Sequence, residues 1–179
     1  DFVDDLDFSR GQYLKGQYKI SPRSALWWDS RKIGAGAPPL KTKDGWLLIY
    51  QAIDDKEGYR YKVGAMLLDL NDPTKVLYRT RQPIIEPDEW YENDGFKAGV
   101  VYPCGAVIMN DQIFVYYGGA DSYVCVATAN LDQFLDQLKT TGIPEINPAS
   151  IQLRRDSSLK KKKRIKLINK GRQHASSAS

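Results

Sequence analysis

Short apolar runs, broken about every 8 to 12 residues by turn-forming residues, dominate the chain from Gly45 to Ala127. Gly45 to Tyr50 opens after Lys43-Asp44, and Tyr61 to Leu70 closes at Asn71-Asp72-Pro73, where Asx and proline chemistry favours a turn. Lys75 to Thr80 follows. Gly99 to Met109 and Gln112 to Tyr117 flank Asn110-Asp111 as the arms of a hairpin, and Ser122 to Ala127 makes a further strand. This spacing predicts an all-β fold, a sandwich, barrel or propeller, rather than alternating βαβ units. One helix is predicted near 131–139: Leu131, Phe134, Leu135 and Leu138 form a single stripe, Asn130 with Gln133 resembles a capping box, and Gly142 and Pro144 end the run. The chain thus divides into a leading segment of unassigned register (1–26), a strand-rich body (27–146) and a polar extension (147–179).

Charge changes the picture in one respect. The formal net charge is +4, but residues 154 to 172 carry ten basic residues and a single acidic one, Asp156. Outside that segment 16 basic residues face 21 acidic ones, so the body is mildly acidic and the basicity belongs to the extension. Lys160 to Arg164, followed by Ala175-Ser176-Ser177-Ala178-Ser179, reads as a solvated, disordered basic tail. Nucleic-acid binding by the body has little support, and only nonspecific contact through the tail remains. No apolar run approaches the length of a membrane span. The first residue is Asp1 rather than Met, which suits a fragment. Cys104 and Cys125 sit in apolar surroundings and read as buried free thiols. The single histidine, His174, lies in the tail, so a Ser-His-Asp triad and a histidine-based metal site are excluded from this chain.

Four places could carry chemistry. Ile33-Gly34-Ala35-Gly36-Ala37-Pro38-Pro39 lacks the third glycine and the following helix of a dinucleotide loop, but it offers close backbone approach to a ligand and a stiff course. Lys41, just beyond it, is either a solvated loop charge or a point-charge anchor for an oxyanion. Asp121, after Tyr116-Tyr117-Gly118-Gly119-Ala120, is either a turn residue bonding its own backbone or a carboxylate accepting sugar hydroxyls. Trp28, beside Asp29, is the aromatic best placed to wall a pocket, whereas Trp46 within a strand reads as core.

Several motifs in one order resemble family 130 of the glycosidases, the mannoside phosphorylases and their hydrolytic relatives. They are Lys32-Ile33-Gly34-Ala35-Gly36-Ala37-Pro38-Pro39-Leu40-Lys41-Thr42 with Gly45-Trp46-Leu47-Leu48-Ile49-Tyr50, then Gly64 to Leu70, Asp72-Pro73 and Leu77 to Arg81. Pro83-Ile84-Ile85, Tyr91-Glu92, Tyr102-Pro103-Cys104-Gly105 and Tyr116 to Asp121 continue it. The resemblance implies a five-bladed β-propeller, of which 27–146 would supply two to three C-terminal blades. It also implies inverting transfer of mannosyl from a β-mannoside to inorganic phosphate as co-substrate, with no metal or other cofactor, in the cytoplasm. By the same resemblance Lys41 joins the phosphate-holding group, and Asp121, with Trp28 and Asp29, contacts the mannoside. The general-acid aspartate is expected upstream of this chain, so no catalytic residue is assigned within it. Gln51 stands where the family usually has histidine, which removes a potential cation from the phosphate site. A β-mannoside hydrolase on the same fold and a non-catalytic carbohydrate-binding or structural fragment are the alternatives, and homo-oligomer formation is left open.

Overall fold

The computed structural model of the chain describes Ser9, Gly11 and residues 18–149. The basic extension from 150 onward, with the disorder expected of it, lies outside the described residues.

Two antiparallel sheets are present among the described residues, each four strand positions wide. In the first, β1 (Lys32–Ala35) and β2 (Leu40–Lys41) pair with successive parts of one edge of β3 (Trp46–Ile53), which then pairs with β4 (Lys62–Leu68) and β5 (Val76–Arg79). Gly36 bridges the two edge pieces by donating its N–H to the carbonyl of Ile49 at 3.0 Å. The stretch read as a rigid glycine loop is therefore half strand. In the second sheet β6 (Val101–Met109), β7 (Gln112–Gly119), β8 (Tyr123–Asn130) and β9 (Asn147–Pro148) follow in chain order. A four-stranded antiparallel sheet in chain order is the form of a β-propeller blade, so the described body matches two blades of the fold that the resemblance implies. Asn147 and Pro148, read as the start of the tail, supply the short edge strand of the second blade instead.

Local chemistry explains the turns. Asn110 and Asp111 both take positive φ (51° and 59°), the backbone that a tight two-residue hairpin requires and that Asn and Asp tolerate. Between β5 and β6 a single helical turn, α1 (Trp90–Asn93), rests on β7. α2 (Leu131–Thr140) starts at Asn130, whose side chain accepts the Gln133 N–H at 3.0 Å, and stops at Gly142 with φ +71°. Its stripe of Phe134, Leu135 and Leu138 is buried.

The period-2 alternation of the strands decides what lies between the blades. Leu47 and Ile49 of β3 and Val63, Ala65 and Leu67 of β4 meet Val101, Ile113, Val115, Tyr117 and Ala127 of the second blade, with the α2 stripe closing the same core. The opposite face of the first blade carries Trp46, Leu48, Tyr50 and Ala52 of β3, Met66 and Leu68 of β4 and Ile33 of β1, and Ile20 and Trp28 clad it. No helix among the described residues is long and apolar enough to cross a membrane.

Candidate active site

Strand register divides the loops between two rims. Lys32 pairs with Ile53, Ala52 with Lys62, Tyr61 bridges Val100, and Val101 pairs with Gly119. These partners place Lys32, the 54–61 loop, the 94–100 loop and the Ala120-Asp121 turn on one rim. Lys41 pairs with Trp46 and Trp46 with Leu68, so Lys41 belongs to the other rim, beside α2. There Lys43 reaches Asp132 (2.7 Å) and Lys139 reaches Asp44 (2.8 Å).

The first rim carries a cluster of cations and phenols. The Lys32 ammonium donates to the Tyr61 hydroxyl at 3.2 Å, and Lys97 stands over the same ring at 5.1 Å. Both lysines are exposed, and neither meets a carboxylate among the described residues. The Tyr61 ring lies 6.2 Å from that of Tyr102. Gln51 holds Tyr102 from below: its Oε1 accepts the Tyr102 hydroxyl at 3.1 Å, while its Nε2 donates to the carbonyls of Gly34 (2.8 Å) and Ala35 (3.1 Å). The reverse amide orientation would set the oxygen against both carbonyls. Gly34 makes this approach feasible, since a Cβ there would meet the Gln51 amide at 2.4 Å. Two unneutralised ammonium groups around one phenol repel each other, so the cluster favours an anion between them.

Asp121 lies on the same rim. It is exposed, sits at φ 52° after Ala120 at φ 49°, and has no hydrogen-bond or ion-pair partner among the described residues. Its carboxylate does not cap its own turn, which is closed by the Ser122 N–H donating to the Gly119 carbonyl at 3.0 Å.

The other expected site residues lie elsewhere. Lys41 is not brought to Gln51: Trp46 and Gln51 are separated along β3 by roughly 17 Å, at 3.3 Å per residue. Lys41 instead lies 5.9 Å from the Trp46 ring. Trp28 and Asp29 lie on the clad face of the first blade, away from Gln51, because Tyr50 and Gln51 point to opposite faces. Trp28 stacks on Tyr50 at 5.7 Å. Asp29 is fully buried, held by Arg23 (2.7 Å), Arg79 (2.6 Å) and the Tyr50 hydroxyl (2.8 Å). Three contacts engage its oxygens and none of its surface is open to solvent, so Asp29 acts as a structural anchor in the clad face. Burial, with the Asp29 charge beside it, pushes the Tyr50 phenol up to about 12 even though Arg79 pulls the other way.

Lys32, Lys97, Tyr61 and Tyr102 escaped the sequence reading as site residues. Lys32 and Tyr102 stand in motifs that were noticed, but only the bridge between Tyr61 and Val100 brings the four together. Lys62, also on this rim, is not available: it is buried among Glu57 (2.7 Å), Glu86 (3.4 Å) and Asp54 (3.5 Å). Burial opposes its charge, and the three carboxylates outweigh burial and raise its pKa.

Known proteins share this sequence and fold. A 1,2-β-oligomannan phosphorylase of Thermoanaerobacter is 52% identical over 100 residues, 56% of this chain and 33% of its own length. The β-1,2-mannobiose phosphorylase from Listeria innocua, solved in complex with β-1,2-mannobiose, superposes with a TM-score of 0.61 at 42% identity, covering 67% of this chain and 33% of that one. A third structure is described under a family of mannoside phosphorylases that contains glycoside hydrolases targeting β-1,2 mannosidic linkages in Candida mannan. It matches with a TM-score of 0.55 at 33% identity, over 63% of this chain and 33% of its own. The chain thus spans about a third of the length of the relatives it matches. Residues 11–140 match the model of glycoside hydrolase family 130, described as β-1,4-mannooligosaccharide phosphorylase, and the chain belongs to that family.

Proposed function

We propose that the chain forms one wall of an enzyme that transfers a mannosyl unit from a β-mannoside to inorganic phosphate with inversion. The observation that carries this reading is the pair of unneutralised lysines, Lys32 and Lys97, around Tyr61 on the rim that also bears Asp121. Phosphate arrives with nearly two negative charges, and holding it out of bulk water needs cations to offset desolvation. In this reading Lys32 and Lys97 hold the phosphate, Tyr61 and Tyr102 supply hydroxyls to its oxygens, and Gln51 fixes Tyr102 without contributing charge. Asp121 accepts hydroxyls of the mannosyl ring. A phosphate oxygen forms the new bond to the anomeric carbon as the glycosidic C–O bond breaks. A carboxylic acid from the part of the relatives' length that this chain does not span protonates the leaving oxygen. Phosphate is a co-substrate, and the reaction draws on no metal or other cofactor. The two free thiols, Cys104 and Cys125, suit a reducing cytoplasm.

Binding of inorganic phosphate to the chain, followed by NMR, tests the site. Lys32→Ala should abolish it and Lys41→Ala should leave it unchanged. Equal loss in both variants would return Lys41 to the site. The reaction is tested with the full-length protein, by assaying β-mannoside cleavage with and without phosphate and identifying the product. Mannose 1-phosphate supports phosphorolysis. The neutral Gln51 favours a second reading, hydrolysis on the same fold, and free mannose released at a phosphate-independent rate would establish it.

A further inference from the structure

Beyond Asp121, on the far side of β7 from the lysine cluster, the rim carries three aromatic rings that the phosphate and mannosyl positions leave unused. Trp90 and Tyr91 of α1 and Tyr123 of β8 pack edge to face, with centroids 5.7 Å (Trp90–Tyr91), 5.5 Å (Trp90–Tyr123) and 6.4 Å (Tyr91–Tyr123) apart. Trp90 nevertheless remains 64% exposed.

A single helical turn is a weak support for an indole, yet this one is fixed at several points. Glu92 is buried, and its carboxylate accepts the Glu89 N–H at 2.9 Å and the Tyr117 hydroxyl at 2.8 Å. Asn93 donates from Nδ2 to the carbonyls of Pro87 (2.7 Å) and Glu89 (2.9 Å), and its Oδ1 has no partner among the described residues. A buried carboxylate and a bifurcated amide thus hold in place an indole that stays largely open to solvent beside its two tyrosine neighbours. Nor is that exposure a by-product of the second blade's bare face. Tyr123, Cys125 and Ala127 alternate with Val124 and Val126, and Cys125 and Ala127 pack into the core between the blades. A neighbour laid on Val124 and Val126 would leave Trp90 uncovered.

We infer that Trp90, braced by Tyr91 and Tyr123, is a platform for a further pyranose ring of a β-linked manno-oligosaccharide, outside the position where the bond is cleaved. The ligand class rests on the proposed function above, while the platform rests on the geometry. In a β-mannopyranosyl unit the axial hydrogens of C1, C3 and C5 lie on one face and the axial O2 on the other. One face is therefore wholly apolar and suits an indole, as C–H groups suit the negative face of a π system. On the same turn as the indole, the Asn93 Oδ1 and the exposed Glu89 carboxylate offer acceptors to the equatorial hydroxyls at the ring's edge.

The test uses this chain without phosphate, titrated with β-1,4-mannotetraose and β-1,2-mannotetraose by isothermal calorimetry in parent and variants, while the indole ¹⁵N–¹H signal of Trp90 locates the site in the parent. Saturable binding is expected, weakened about tenfold or more in Trp90→Ala and partly restored in Trp90→Phe, with far-UV circular dichroism unchanged because the indole is exposed. Lys41→Ala, on the opposite rim, should bind the oligosaccharide normally. If Lys32→Ala proves to have no effect on phosphate binding while Trp90→Ala still loses mannotetraose, the phosphate site is wrong and the platform stands. Absence of saturable binding, equal affinity in Trp90→Ala and the parent, or a preference for cellotetraose would each overturn the inference.

Discussion

Each blade keeps a fully buried carboxylate bonded to a buried tyrosine, and the two carboxylates are satisfied in opposite ways. Asp29 in front of the first blade meets two guanidinium groups, Arg23 and Arg79, besides the Tyr50 hydroxyl. Glu92 beside the second meets no cation among the described residues, only the Tyr117 hydroxyl and a backbone N–H. The difference follows what each one fastens. Asp29 pins the 18–30 segment against one face of the first blade, and its ion pair with Arg79 joins residues 50 positions apart in sequence. Glu92 fastens one helical turn, a lighter task for two neutral donors. The blades' outer faces differ in the same sense. The first is clad, whereas the second leaves Tyr102, Val107 and Tyr116 exposed and Val124 at 91%.

The largest expected effect comes from Asp29→Asn. The amide leaves Arg23 and Arg79 uncompensated at a buried position, and the loss should be about 3 kcal/mol or more in urea denaturation. An unchanged stability would mean that Asp29 is held for a ligand rather than for the fold.

Alkaline pH should separate the two tyrosines from the rest of the molecule. The Tyr50 phenol is raised to about 12 against about 10 in an unfolded chain, so its contribution is complete below pH 10 and is lost as pH rises toward 12. Burial and the bond to Glu92 raise Tyr117 in the same direction. The share of Tyr50 amounts to about 2–3 kcal/mol. Melting curves between about pH 10 and 12, the window where this loss develops, should fall less steeply in Tyr50→Phe than in the parent. Parallel slopes would remove the Asp29–Tyr50 contact from the account.

Glu92→Gln should cost less than Asp29→Asn, on the order of 1 kcal/mol. It gives up one hydrogen bond to the Glu89 N–H but strands no cation. A cost equal to that of Asp29→Asn would break the comparison. Smallest of all is Val124→Lys on the bare face, expected within about 0.5 kcal/mol of the parent because the side chain already stands in water. Its effect should be on association: sedimentation velocity at rising concentration should show less self-association than in the parent, as expected of an apolar patch interrupted by charge.

What the sequence disclosed and what it hid divides by distance along the chain. The Asn110-Asp111 hairpin and α2 with its Asn130 cap are legible because the determining residues lie within a few positions of one another. β1 was hidden, since Gly34 and Gly36 lower any strand expectation and only pairing with β3 makes the segment extended. The site was legible in its motifs and not in its membership. Lys41 and Gln51 bracket the same strand, and alternation with register, not proximity in sequence, sends them to opposite rims. Asp29 beside Trp28 looked like a ligand pair, because nothing local shows that Arg79 will reach back to it. Asp121 follows its glycine-rich turn on an exposed rim, with its carboxylate unengaged among the described residues.

The clasps of Lys43 to Asp132 and Asp44 to Lys139 join positions 89 and 95 residues apart. The exposed Lys43–Asp132 pair contributes little energy and the half-buried Asp44–Lys139 pair somewhat more, and both close a circuit whose halves already share one apolar core. Seen as a loop rather than a line, the chain between residues 44 and 139 has its ends tied by side chains as well as by backbone. A protease cut within the exposed stretch from Asn93 to Ala98 would therefore leave two pieces that stay together and, once separated by denaturant, find each other again. Their reunion would be slower than refolding of the intact chain by the loss of the tether alone, which makes the two blades a natural split-protein pair.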